Sequence, residues 1–215
     1  MAELRDPASG TARALRENGL TLALGLLFGG AIVGMALAGW KAHDDFLLRH
    51  GALPTGLLAY LASGDFVSAV FENWESEFLQ MAAYVMLTAF LLQKGSAESR
   101  DPDAGETKEP RPRGIGGFLY ACSLGIALGA LFVAAFLLHL WGSCRAAVAD
   151  AALHGAAPPT AVRRLLDAGF WFESFQNWQS EFLSTAVLVV LSIVLRFRGS
   201  PESKRVTAPH ASTGR

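Results

Sequence analysis

Two copies of a short motif place an amide and a carboxylate four residues apart. Asn73 and Glu77 form the first pair, and Asn177 and Glu181 form the second pair 104 residues later. Residues four apart lie on one face of a helix, so these pairs could bind a cation, share a proton or hold a basic group such as Arg145. The same residue types also suit a plain helix entrance, because asparagine caps helices and acids favour the positive end of the helix dipole. The sequence leaves both interpretations open.

Each motif also carries a tryptophan and a second position that can be acidic. Trp74 and Trp178 are predicted to lie at headgroup depth, in the aromatic belt of a membrane protein. The next position is Glu75 in the first copy but Gln179 in the second. The acid that both copies retain is therefore the better candidate for an ion, proton or structural site.

The repetition extends well beyond this motif. Residues 71–79 recur as 175–183, and residues 95–100, Gly-Ser-Ala-Glu-Ser-Arg, recur as 199–204, Gly-Ser-Pro-Glu-Ser-Lys. An apolar run lies between the two motifs of each copy. A repeated unit of this length predicts a protein built from two similar halves.

The second repeated motif predicts a helix end. Gly95 and Gly199 are expected at the C′ position after helices that end at Lys94 and Arg198, since glycine tolerates the left-handed backbone there and cations favour that end of the dipole. Docking to a cytosolic partner is the alternative interpretation.

Composition indicates a membrane protein. Of the 215 residues, 52% are hydrophobic and 17% are charged, below the roughly 25% charged residues of soluble domains. The net charge of -1 argues against a nucleic-acid-binding protein, which needs a basic excess. Four uncharged apolar runs, apart from one histidine, cover residues 20–40, 78–93, 114–144 and 182–195.

The second and fourth runs are shorter than the roughly 20 residues that a span requires. Their matched positions after a long run nevertheless predict spans, which must extend backward through Ser76-Glu77 and Ser180-Glu181. The first span could instead be a cleaved signal peptide ending near residues 36–38, Ala-Leu-Ala. Its counterpart in the second half is internal, which favours a retained span.

Lysine and arginine positions predict the orientation. Thirteen of them fall in the two terminal segments and the central linker, and five fall in the loops within the halves. Because basic residues concentrate on the cytoplasmic side, both termini and the linker are predicted to be cytoplasmic. The two halves then share one orientation and form parallel repeats.

Small residues recur in the long runs. Gly25 and Gly29 in the first run correspond to Gly125 and Gly129 in the third. A spacing of four places glycines on one helix face and lets two backbones approach closely. We expect the first and third spans to meet at a pseudo-twofold axis through these glycines.

No residue pattern indicates a metal, a cofactor or an enzyme. Residues 43–45, His-Asp-Asp, lack a spaced partner cluster and are interpreted as a solvated loop. Cys122 and Cys144 would be about 33 Å apart on one helix, too far for a disulfide. Phosphate loops, nucleophile elbows and zinc-binding motifs are not found in the sequence.

The whole pattern resembles an uncharacterised bacterial membrane-protein family that is described only as a domain of unknown function. The resemblance lies in residues 15–20, Leu-Arg-Glu-Asn-Gly-Leu, in Asn-Trp-x-Ser-Glu-Phe and in the Gly-Ser-x-Glu-Ser-Lys ending. It covers residues 13–204 and implies a location in the bacterial inner membrane. It implies no activity, ligand or catalytic residue.

The predicted fold is all-α, an integral-membrane four-helix bundle built from two parallel two-helix repeats. A cytoplasmic tail covers residues 1–18, and repeat 1 covers 19–99 with spans of about 20–40 and 74–93. A disordered cytoplasmic linker covers 100–113, repeat 2 covers 114–203 with spans of about 116–141 and 178–196, and a second tail, also expected to be disordered, covers 204–215.

The predicted function is a non-enzymatic scaffold or assembly role in the inner membrane. The alternative is a small transporter or channel that uses the paired glutamates at the outer side of the bundle. The lipid bilayer is the expected partner, together with a second copy of the chain or another membrane protein, and nucleic acid is excluded. No cofactor is expected.

Overall fold

The computed structural model describes residues 7–102 and 112–214, with side chains described from residue 15 onward. Every regular element within those ranges is a helix. The helices are α1 (Pro7–Arg49), α2 (Leu57–Leu61), α3 (Gly64–Phe90), α4 (Gly114–Ala121), α5 (Ser123–Leu153), α6 (Ala161–Leu165) and α7 (Ala168–Val194). The all-α prediction is therefore confirmed for the described residues.

Among the described residues, three helices are long and apolar enough to cross a membrane. They are residues 15–49 of α1, with a mean hydropathy of 2.2, α5 with 2.2 and α7 with 1.3. Long apolar segments form helices in lipid because a helix satisfies its backbone hydrogen bonds internally. Helix α3 is as long as α7, at 27 residues, but it is not among the three.

The chain divides into two compact units after Phe66. The first unit contains α1, α2 and the first turn of α3. Tyr60 of α2 is buried, and a Cβ added at Gly39 of α1 would collide with its hydroxyl group. Asp44 accepts the backbone N–H of Thr55 at 2.7 Å, so the connection after α1 is held by α1 itself.

These contacts change the interpretation of residues 43–45. His43, Asp44 and Asp45 lie in α1 rather than in a solvated loop. The ring of His43 lies 3.4 Å from the Asp65 carboxylate and 5.3 Å, between centroids, from the Tyr60 ring. The sequence showed three polar residues in a row, but it did not show that the helix continues past the apolar run.

The second unit contains the rest of α3 and helices α4 to α7. Helices α4 and α5 are nearly continuous, with a break at Cys122. Gly142 of α5 lies against the backbone of α3, since a Cβ there would be 2.5 Å from the Ser68 nitrogen. A glycine is therefore required where these two backbones touch.

The helix bounds of the first half recur in the second. Helices α6 and α7 begin and end 104 residues after α2 and α3. The caps recur as well, because Ser63 accepts the Phe66 N–H and Asp167 accepts the Phe170 N–H, both at 3.2 Å. Each half therefore has a short helix, α2 or α6, at a matched position before its long helix.

The predicted helix ends are wrong. Helix α3 ends at Phe90 and α7 ends at Val194, so Gly95 and Gly199 lie five residues beyond the helices. Both glycines have positive φ, 87° and 84°, but they serve turns rather than helix caps. Each turn is closed by a serine of the repeated motif. Ser99 accepts the Gln93 N–H, and Ser203 accepts the Phe197 N–H.

The C-terminal segment is ordered, whereas the sequence predicted disorder. Lys204 is 2% exposed and donates to the carbonyl oxygens of Gly95, His210 and Ser212. The Gly214 N–H donates to the Ser96 carbonyl at 2.9 Å. These contacts dock the segment onto the turn that follows α3. Most of the linker predicted to be disordered, residues 103–111, lies outside the described residues.

Candidate functional site: a buried carboxylate–imidazole pair

The four motif residues proposed as a site do not form one cluster. Asn73 is exposed, and its amide donates to the Ala69 carbonyl of its own helix at 2.7 Å. Asn177 donates across to the carboxylate of Glu72. The two asparagines therefore play different roles, one within a helix and one between helices.

Glu77 and Glu181 do meet. Their carboxyl groups interact electrostatically, from α3 to α7. A proton or a cation bound between them would offset the repulsion of two like charges.

A second acidic contact is made by Glu75, two residues before Glu77, and it is fully buried. The Glu75 and His139 side chains are both 0% exposed, with Glu75 Oε2 and His139 Nδ1 2.9 Å apart. The other oxygen, Oε1, accepts the indole N–H of Trp178, also at 2.9 Å. Glu75 therefore joins α3 to α5 and α7 at once.

Aromatic rings enclose the imidazole. The ring of His139 stacks on Phe170, with centroids 4.7 Å apart and planes at 27°. Phe136 contacts Phe170 edge to face at 5.8 Å, and Phe132 contacts Trp178 in the same way at 6.2 Å. An apolar wall of this kind strengthens the electrostatic attraction between the carboxylate and the imidazole.

Two polar atoms of this region are buried without a hydrogen-bond partner among the described residues. They are His139 Nε2 and Ser174 Oγ, and both residues are 0% exposed. Ser174 lies one helical turn after Phe170, on the same face of α7. Buried polar groups are normally bonded to protein or to ordered water, so these two atoms are exceptions among the described residues.

An arginine contacts the aromatic ring on which the buried histidine stacks. Arg164 donates to Ser143 of α5 at 2.6 Å, to Asp167 at 2.8 Å and to Glu173 of α7 at 3.2 Å. Its guanidinium carbon also lies 5.9 Å from the centre of the Phe170 ring. Arg164 of α6 thus connects three helices, a role that its place in the sequence does not reveal.

The site is missed by sequence reasoning for an identifiable reason. Repetition gave weight to Glu77 and discounted Glu75, which becomes Gln179 in the second copy. Glu75 is the buried acid, and it does not recur in the second copy. Its partner His139 does not recur either. A single histidine inside a long uncharged run, together with two glutamates that the second copy replaces with glutamine, is the signal that could have found the pair.

The structure also places the two tryptophans and two of the glycines that were predicted as site residues. Trp178 is a hydrogen-bond donor inside the unit, and Trp74 packs edge to face on Phe71 with centroids 5.1 Å apart. A Cβ at Gly125 or Gly129 would meet no heavy atom of the described residues within 4 Å. Within the second unit, the close backbone contact is at Gly142 instead.

A cavity lies nearer the other end of α3 and α7. It has a volume of about 420 Å³ and is mainly apolar, with Gln80, Tyr84, Glu98 and Thr185 among its lining residues. Gln80 donates to the Thr185 hydroxyl group across the two helices. Among the described residues, no group of three or more histidine, cysteine or acidic side chains could hold a metal ion.

The amino-acid sequence matches one protein family. Residues 11–215 match the family described as "Domain of unknown function (DUF6766)". The chain belongs to this family. No curated protein and no solved structure matches the chain. The match covers both copies of the repeated motif and every residue of the buried site.

Proposed function

We propose that this DUF6766 protein is a non-enzymatic scaffold of the bacterial inner membrane that crosses the bilayer four times. Helices α1, α3, α5 and α7 are the spans, and the halves containing α1–α3 and α4–α7 are parallel repeats. The recurrence of α2 and α3 as α6 and α7 supports the duplication. The apolar character of α1, α5 and α7 supports membrane insertion.

The observation that carries the scaffold assignment is the use of Glu75. Both of its oxygens are occupied, one by His139 and the other by Trp178, so the acid joins three helices. Arg164 is occupied in the same way by Ser143 and two carboxylates. Polar groups that bond to one another stabilise an arrangement of helices, whereas a substrate site keeps such groups available.

The assignment of α3 as a span depends on how its charges are accommodated. Glu72 is bonded to Asn177, Glu75 is bonded to two side chains, and Glu77 contacts Glu181. Ionisable groups within membrane helices face the protein interior and pair with one another. Helix α3 can therefore cross the bilayer with Glu72 and Glu75 directed at α5 and α7, although it is not among the three described helices that are long and apolar enough by themselves.

Reporter fusions test the predicted orientation of the chain in the membrane. A cytoplasm-active reporter fused after Arg113 or after Arg215 should be active, and a periplasm-active reporter fused at Gly155 should be active. Activity of a periplasmic reporter after Arg113 would contradict the four-span arrangement. A three-span arrangement without α3 would place the two halves in opposite orientations, which the same fusions detect.

A second candidate function is supported by the Glu77–Glu181 contact. Two acids that can share a proton in a membrane protein suit a small proton or cation transporter. In liposomes, the scaffold assignment predicts no proton or cation flux above that of protein-free vesicles. A flux that is lost in both Glu77→Gln and Glu181→Gln would contradict the scaffold assignment and establish the transporter. The matched control is Gln179→Glu, which adds an acid in the same motif.

A further inference from the structure

We propose that the cavity between α3 and α7 binds one phospholipid whose head group carries a primary ammonium, phosphatidylethanolamine. An acyl chain occupies the apolar cavity, Glu98 accepts from the ammonium and Arg100 donates to the phosphate. This ligand presupposes the proposed membrane location, but it does not depend on whether the protein is a scaffold or a transporter.

The walls of the cavity suit an acyl chain. The volume of about 420 Å³ is within the range of sites that hold small organic ligands. Leu87 of α3, Leu91 just beyond it and Val190 of α7 line the cavity, and all three side chains are exposed. Large apolar side chains that are exposed together mark a surface that binds another apolar molecule. Beside helices that cross a bilayer, that molecule is lipid.

The polar end of the cavity lies just past α3, which ends at Phe90. Glu98 and Ser99 line both the apolar cavity and a neighbouring pocket that is more polar and includes Arg100 and Gly214. The apolar space thus lies alongside the helices, and the polar space lies at the end of α3. A phospholipid has the same order of parts, with acyl chains in the hydrocarbon core and a charged head group at the interface.

An acid and a base line the polar pocket, which favours a head group that carries both charges. Glu98 is half-buried, and its Oε2 accepts the hydroxyl group of Tyr84 at 3.2 Å, so the carboxylate is held beside α3. Arg100 is exposed, and its guanidinium donates to the Ala89 carbonyl near the end of α3. A carboxylate accepts at both oxygens and a guanidinium has five N–H donors, so each group can make further bonds.

These two side chains discriminate among phospholipid head groups. A primary ammonium donates N–H bonds to a carboxylate, and such charge-assisted bonds are stronger than neutral ones. A quaternary ammonium, as in phosphatidylcholine, carries the same charge but has no N–H to donate. The anionic head group of phosphatidylglycerol would place negative charge beside Glu98 without a cation to offset it. The phosphate that all three lipids share suits the guanidinium of Arg100.

The test measures lipid binding to the purified, delipidated full chain in detergent micelles by native mass spectrometry. Phosphatidylethanolamine, phosphatidylcholine and phosphatidylglycerol with identical acyl chains are added separately. The wild type should bind one phosphatidylethanolamine about tenfold more tightly than either other lipid, which is the effect expected of one hydrogen bond to a charged group. Equal affinity for phosphatidylethanolamine and phosphatidylcholine, or a preference for phosphatidylglycerol, overturns the proposal.

Head-group variants locate the selectivity. Glu98→Gln keeps an acceptor for Tyr84 but should remove the preference for phosphatidylethanolamine over phosphatidylcholine. Glu202→Gln, at the equivalent position 104 residues later, is the control and should keep that preference. Arg100→Gln should weaken the binding of all three lipids, because it removes the partner of the shared phosphate. Unchanged selectivity in Glu98→Gln overturns the proposal.

Two neighbouring positions of α7 locate the acyl chain. Ala186 lines the cavity, whereas Val187 is not among the lining residues, and both are exposed. Ala186→Trp should fill the cavity and reduce phosphatidylethanolamine binding at least about tenfold, and Val187→Trp should not. Equal binding by these two variants places the lipid elsewhere and overturns the proposal.

Membrane location is measured separately, as the share of the chain that remains with sedimented membranes after an alkaline wash. A chain released by the wash would contradict the membrane location, and with it both the proposed function and the lipid site. A chain that is retained but binds the three lipids equally overturns the lipid site alone.

Discussion

The indole N–H of Trp178 donates to the carboxylate of Glu75 at 2.9 Å, from α7 to α3. Trp178 belongs to one copy of the repeated motif and Glu75 belongs to the other copy. The two motifs therefore do more than mark two helix entrances, because one supplies the acceptor and the other supplies the donor. The position equivalent to Glu75 is Gln179, which bonds to the Gln176 carbonyl of its own helix.

The first prediction concerns the cost of removing the buried acid. Glu75→Leu leaves His139 and Trp178 without their acceptor, and breaking a buried pair in this way costs about 3–5 kcal/mol. Glu75→Gln keeps an acceptor for the indole and should cost less. The measurement is thermal unfolding of the purified protein in detergent.

The double variant separates pairing from packing. Glu75→Leu combined with His139→Leu should cost less than the sum of the two single changes, because the second change removes a group that has already lost its partner. Simple addition of the two effects would show that the 2.9 Å contact contributes nothing to stability.

The second prediction concerns the contact between α3 and α5. Gly142→Ala should destabilise the second unit strongly, since the new Cβ would lie 2.5 Å from Ser68 N and 2.9 Å from Ser68 Cα. Backbone atoms cannot rotate away, so the helices must separate. Gly129→Ala on the same helix is the control, with no described heavy atom within 4 Å of its Cβ. Equal unfolding temperatures for the two variants would contradict the close approach of the helices.

Sequence patterns predicted the elements better than their contacts. The 104-residue repeat predicted helices at matched positions in the two halves, and α3 and α7 are those helices, because apolar runs are local properties. The partners of Glu75 and His139 could not be read from the sequence, since they depend on which faces of α3 and α5 meet. The repeat favoured Glu77 over Glu75 as the candidate acid, because Glu77 recurs as Glu181 and Glu75 does not recur.

The C-terminal segment shows a different limit of sequence reasoning. Its composition is typical of disorder, with few apolar side chains to bury. Its order comes instead from hydrogen bonds, as in the three carbonyl groups that surround the Lys204 ammonium. Composition does not record whether a particular lysine meets three carbonyl oxygens at once.

The third prediction concerns this docked segment. Lys204→Met keeps an apolar stem but removes the ammonium that bonds to Gly95, His210 and Ser212. The segment should then detach, and limited proteolysis with trypsin should cut after Arg205 faster than in the wild type. Arg198→Met, at an exposed position of the same segment, is the control and should not change the rate of that cut. Unchanged cleavage in Lys204→Met would show that the ammonium does not hold the segment.

The fourth prediction is a pH dependence in the first unit. Burial of the Tyr60 side chain, followed by the charge of Asp65, raises the pKa of Tyr60 above its ordinary value of 10.0. Between the unfolded and folded pKa values the folded state binds more protons, so stability falls as pH rises through this interval. Below pH 10.0 the neutral hydroxyl group is present in both states, and the contribution of Tyr60 is constant.

Tyr60→Phe is the matched variant, because it keeps the ring beside Phe66 and Gly39 but removes the ionisable hydroxyl group. The wild type should lose more stability than Tyr60→Phe when pH is raised from about 9 to 11, across the range in which tyrosine ionises. Unfolding of both proteins is followed in detergent by circular dichroism, and lysine ionisation affects both equally. Asp65→Asn should reduce the loss in the wild-type background, since it removes the second cause of the raised pKa. Parallel curves for the wild type and Tyr60→Phe would show that the hydroxyl group is as accessible to water in the folded protein as in the unfolded chain.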